Sequence, residues 1–157
     1  MHRVWKQIDS IEFDSFVECA TEYSRIYKLS PWIIDIIQRN HYEFKNYEFP
    51  IRLIKKKVSD FGFESPTELK KIYDEIKLGG FELVPPEIAI FSRKLYLEQP
   101  TGEWLRFATP LDAMIDSDGV PHLPKLGKAL GCYFIETYWS YKHAVFHPHN
   151  EFVMVSS

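Results

Sequence analysis

At Gly79-Gly80 the hydrophobic spacing of the chain changes from helical steps to strand alternation, and this break constrains the fold more than any other feature. Before it, Phe13, Phe16, Val17, Ala20, Tyr23 and Tyr27 recur every three or four residues, which predicts a helix over about 10–28 with Asp9 or Ser10 as its cap. In "LSPWIIDIIQRN" Ser30 caps and Pro31 takes the first helical position, where its missing N–H costs nothing, so a second helix runs to about Asn40. "FPIRLIKKKVSD" is ambiguous between helix and edge strand and is assigned helix on Ile51, Ile54 and Val58. "SPTELKKIYDEIKLGG" is assigned helix from Ser65 as cap, Pro66 at position one and Glu68 closing a capping box, with Gly79 as its stop.

After the break, seven of the ten prolines punctuate short extended segments. Pro86 opens a short helix through Ile90 and Phe91, and "KLYLEQ" and "EWLRFAT" read as strands. Asp116-Ser-Asp118-Gly119 is a turn, since glycine supplies the positive φ that a tight reversal requires. "GCYFIETYWSY" alternates most clearly, with Tyr133, Ile135, Thr137, Trp139 and Tyr141 on one face and Phe134, Glu136 and Tyr138 on the other, and "EFVMV" closes the chain as a strand. The expected fold is α+β: one domain over 1–157, a helical part (about 1–79) packed to one side of a small, mainly antiparallel C-terminal sheet (about 80–157).

Bulk properties exclude several classes. No apolar run approaches the roughly 20 residues that cross a bilayer, and Asp9, Glu12 and Asp14 interrupt the N-terminal segment where a secretory leader would be apolar, so a soluble cytoplasmic protein is expected. Cys19 and Cys132 lie too far apart to suggest a disulfide framework. A net charge of −3 disfavours nucleic acid as a partner, and the cluster Arg52, Lys55, Lys56, Lys57 reads as a solvated helix face.

"HAVFHPHNE" poses the sharpest chemical question. In an extended chain His143, His147 and His149 would point one way, as a zinc site needs, but Pro148 makes "HPHN" a connecting turn, so no metal and no cofactor is expected. A weaker catalytic reading draws on Cys132 as nucleophile, on Glu136 within an aromatic strand face, and on His122, His143, His147 or His149 as base. Glu136 would otherwise meet solvent or a cross-strand Arg106. Asp116-Ser-Asp-Gly fails as a calcium loop, because Met114 and Lys125 fall at its first and twelfth positions. Phosphate loops, serine elbows and His-Glu-x-x-His pairs are absent from the sequence.

The one unusual figure is the aromatic content, 16%. Trp104, Tyr133, Trp139, Tyr141 and Phe146 exceed what a small sheet covers, which points to a non-enzymatic interaction or regulatory protein that engages a protein partner or itself through its C-terminal sheet. The alternative is a hydrolase-type enzyme built on the C-terminal histidines and a glutamate, with or without a metal, and the third reading is a weak nucleic-acid binder.

Overall fold

In the computed structural model, which describes residues 3–156, the chain runs β1 (Lys6–Ile8), α1 (Phe16–Ile26), β2 (Lys28–Leu29), α2 (Pro31–Arg39), β3 (Ile51–Lys57), β4 (Thr67–Glu68), α3 (Leu69–Leu78), α4 (Pro86–Phe91), β5 (Trp104–Phe107), β6 (His122–Ala129), β7 (Cys132–Trp139), β8 (Val145–Phe146) and β9 (Glu151–Val155). Among the described residues the strands form a seven-stranded sheet, ordered β1-β3-β9-β5-β6-β7-β2, and a two-stranded β4-β8 ribbon. The fold is α+β. The sheet is larger than the sequence suggested and mainly antiparallel, with parallel pairing between β5 and β9 and between β2 and β7.

Helices cover both faces rather than one. Leu53, Leu105, Leu126, Ile135 and Val153 point to a core closed by α1, α2 and α4, which contribute Phe16, Tyr23, Ile33, Ile36, Ile88 and Phe91. Ile54, Phe152, Met154 and Leu123 point the other way, to a second core closed by Leu69, Ile72, Tyr73 and Ile76 of α3. The adjacent pair Leu53 and Ile54 carries this division, since neighbouring strand residues face opposite sides.

Local chemistry explains where the elements begin. Ser15 Oγ accepts from Glu18 N, so α1 starts six residues later than the apolar spacing implies, and Ile11 and Phe13 pack on the core from an extended lead-in. Ser30 caps α2 through Ile33 N, with Pro31 in the first turn, as its sequence predicts. Ile51–Lys57 is a strand and not a helix, with only a 3-10 turn (Val58–Phe61) after it: β3 sits between β1 and β9, and pairing on both edges overrides its weak helical spacing. Lysines 55–57 therefore do not share a face. Lys55 Nζ lies near the Trp5 and Tyr96 rings and 3.9 Å from Glu151, while Lys56 Nζ lies over Phe61 and Phe81.

α3 begins at Leu69 rather than Pro66, because Thr67 and Glu68 pair with Phe146 and Val145 before the helix starts. Gly79 caps it, and Gly80 takes the left-handed conformation (φ 81°) that turns the chain into its second half. "KLYLEQ" is not a strand. A 3-10 turn over Ser92–Leu95 carries Arg93, 0% exposed, whose guanidinium donates to Gly127 O, Phe134 O, Tyr96 O and Gln99 Oε1. Those four acceptors fold 92–99 around one side chain, and burial lowers its pKa to about 10.

β6 contains a proline that would argue against a central strand. Even-numbered residues of β7 face β6, as Ser140 N continues by donating to Pro121 O, and they register against odd-numbered residues of β6. Pro124 therefore faces away from β7, beyond the last β5 pair at Lys125, where no ladder donor is required.

Candidate functional site

The sheet ends at β2, which is only two residues long and pairs with Phe134 and Ile135 of the eight-residue β7. Ser30 N donates to Ile135 O, so the odd-numbered backbone groups of β7 point outward. Beyond Ile135 the next outward groups belong to Thr137 and Trp139, and among the described residues no strand lies against them. The cause is α2: Ser30 and Pro31 turn the chain into a helix after two paired residues and so cut β2 short.

At this open edge lies a cleft of about 280 Å³ lined by Trp32, His122, Glu136, Thr137, Tyr138 and Trp139. Trp32, in the first turn of α2, stacks on the His122 imidazole at 5.6 Å and 29°. Trp32 and Trp139 remain 47% and 57% exposed, and Tyr141, just past β7, 50%. Three aromatic side chains exposed at a sheet edge are the kind of apolar surface that marks contact sites.

A polar, hydrogen-bonded network lies at the floor of the cleft and behind it. His122, 2% exposed, sets Nε2 2.8 Å from Asp116 Oδ2 and Nδ1 3.0 Å from Thr137 Oγ1. Asp116 Oδ1 also accepts from Asp118 N and Val120 N, which closes the Asp116–Gly119 turn with Gly119 at φ 79°. Desolvation pushes the Asp116 carboxyl upward, but the hydrogen bond from His122 and those from Val120 and Asp118 outweigh it and hold its pKa below the ordinary value. His122 thus bridges the Asp116 carboxyl and the Thr137 hydroxyl through its two ring nitrogens.

The aromatic residues singled out from the sequence do not form one surface. Trp139 lines the cleft at the open edge, and Tyr141 is half-exposed in the turn that follows β7. Tyr133 is half-buried beside Arg93, with its hydroxyl donating to Leu97 O. Trp104 lies on the opposite sheet face over Gly127. Phe146 is 1% exposed between Tyr138 and Phe152, so its role is in the second core and not on a contact surface.

The chemical candidates are equally dispersed. His143 Nδ1 lies 3.2 Å from Glu68 Oε2 on the surface. His147 and His149 stack at 5.7 Å across the turn at Pro148, which Asn150 ties by accepting from His147 N. Among the described residues no group of three histidine, cysteine or acidic side chains is placed to hold a metal. Cys132 lines a separate hollow with Arg25, Lys28 and Tyr133, while Cys19 is buried in α1, where desolvation pushes its thiol up to about 12. Glu136 does line the cleft, and its cross-strand neighbour is Lys125, with Arg106 one strand further.

Trp32, Asp116 and Thr137 were missed as site residues. The turn Asp116-Ser-Asp-Gly lying six residues before His122 was the available signal, but the meeting with Thr137 and Trp32 depends on strand pairing and on where α2 packs. Among the described residues no helix is long and apolar enough to cross a membrane. The chain matches no protein-family model, no curated protein and no solved structure.

Proposed function

We propose that this chain is an interaction protein that receives an extended segment of a partner protein along the open edge of β7. The observation that carries this reading is the pairing of β2 with only Phe134 and Ile135, next to exposed Trp32, Trp139 and Tyr141. An added strand would satisfy the outward N–H and C=O groups of Thr137 and Trp139, and its alternate side chains would pack toward Trp32 and Trp139. Main-chain bonds supply part of the affinity and the aromatic cleft selects apolar residues at every second position. The hydrogen-bonded Asp116-His122-Thr137 network keeps the edge in place before the partner arrives, which reduces the ordering cost of binding.

Selection of peptides displayed on phage tests this reading. Enrichment of sequences with alternating apolar residues, weakened together by Trp32→Ala and Trp139→Ala, supports it. Binders indifferent to both substitutions contradict it. Light scattering separates a foreign partner from a second copy, because a concentration-dependent dimer lost in Trp139→Ala identifies the chain itself as the occupant.

A second reading rests on the hydroxyl, imidazole and carboxylate in series at Thr137, His122 and Asp116. In a hydrolase built here, Thr137 Oγ attacks a substrate carbonyl as its proton passes to His122 Nδ1, the proton then leaves with the departing alcohol, and water later releases the acyl group. Mass spectrometry after incubation with p-nitrophenyl acetate tests it. Acetyl on Thr137, absent from Thr137→Val, favours the enzyme, and an unmodified Thr137 removes it.

A further inference from the structure

The sheet face that carries Trp104 presents a charge arrangement that meets the edge cleft only at Glu136 and Tyr138. Arg106, Lys125 and Glu136 are cross-strand neighbours on β5, β6 and β7, between the row Trp104, Gly127, Phe134 and the pair Leu123, Tyr138. The Trp104 indole lies directly over Gly127, where a Cβ would come within 2.2 Å of Cζ3. Lys125 Nζ then sits 4.8 Å from the Trp104 ring centre and 5.5 Å from that of Tyr138. The Arg106 guanidinium is sandwiched 5.4 Å from Tyr138 and 5.4 Å from Phe146.

Ring faces attract cations but accept few of their N–H groups. Among the described residues neither Arg106 nor Lys125 forms an ion pair, and Arg106 Nε is buried without a hydrogen-bond partner. Glu136 is the one carboxylate in the row, set against two cations. Desolvation lowers the pKa of both cations, and for Lys125 repulsion from Arg106 adds to it while Glu136 opposes it. Two half-buried like charges with unused donors match an oxyanion, because guanidinium offers a planar fork and ammonium a movable point charge.

We infer that Arg106 and Lys125 form a binding site for a phosphate-class oxyanion carried by a small molecule, with Trp104 and Tyr138 flanking the part of that molecule next to the phosphate. The global charge of −3 fits a compact ligand better than a nucleic-acid strand, which needs a longer run of cations.

The test is an NMR titration of the Trp104 indole N–H with inorganic phosphate and with phenyl phosphate, at constant ionic strength against chloride and acetate. The expected result is a saturable shift with both phosphates, stronger with phenyl phosphate, and weakened about tenfold or more in Lys125→Met and Arg106→Gln, since each removes charged donors. Arg106 is packed between rings and its variant can fail to fold, whereas the half-exposed Lys125 allows a folded variant and keeps the test decisive. An equal response to chloride or acetate, or a phosphate response unchanged in Lys125→Met, would overturn the site.

Discussion

His122 Nε2 stands 2.8 Å from Asp116 Oδ2, and this buried contact ties the Asp116–Gly119 turn to the start of β6 at the floor of the edge cleft. Because Asp116 has its pKa depressed in the folded chain, its contribution to stability is present above the ordinary carboxylate value of 3.8 and is lost as pH falls through the lower folded value. Urea unfolding at a series of pH values should show wild type losing its advantage over Asp116→Asn as pH falls below the ordinary value of 3.8, and a difference that stays constant through that fall would contradict the assignment.

Replacing Thr137 by valine keeps the shape of the side chain and removes the partner of His122 Nδ1. Leaving that buried nitrogen unsatisfied should cost about 1–3 kcal/mol in urea unfolding. Peptide binding at the β7 edge should persist, since it uses main-chain groups. Loss of binding by a folded Thr137→Val would assign the hydroxyl itself to recognition.

Arg93 holds four acceptors from three segments with no carboxylate among them. Arg93→Met should destabilise the chain by about 3 kcal/mol or more, because several buried acceptors lose a charged donor at once. Limited proteolysis of a folded variant should then cut first within 92–99, the segment those bonds hold, and an unchanged cleavage pattern would count against that role.

Gly127 carries the Trp104 ring on its Cα, so Gly127→Ala must displace the indole. The expected cost is about 1–3 kcal/mol in thermal or urea unfolding, with a shifted Trp104 indole N–H resonance. Near-native stability with an unmoved resonance would show that the ring does not lie there.

Local signals were legible where one element determines its own limits. Ser30 with Pro31, Gly79 with Gly80, and the alternation of β7 each identify an element from neighbouring residues alone. Strands defined by their partners were not. Ile51–Lys57 looks helical until β1 and β9 pair with it, and Pro124 looks incompatible with β6 until the strand's orientation leaves its nitrogen beyond the β5 ladder. The same distinction separates the candidate sites. His143, His147 and His149 are close in sequence, yet His143 meets Glu68 while His147 and His149 stack on each other, whereas Trp32, Asp116, His122 and Thr137 come from a helix, a turn and two strands and meet only in the folded chain.

Trp32 and Trp139 are the side chains placed to select a partner, being exposed in the one cleft that His122 floors. Alanine at either should weaken an edge-bound peptide by about 2 kcal/mol, roughly thirtyfold, with little change in stability. Equal affinities by calorimetry would place the contact elsewhere.

The most direct measurement is residue-resolved amide hydrogen exchange of β7 with and without a selected peptide. A strand added at the edge should slow Thr137 and Trp139 strongly, while Glu136 and Tyr138, already facing β6, change far less. Protection of the even-numbered amides alone, or a footprint that leaves residues 136–139 untouched, would contradict edge docking.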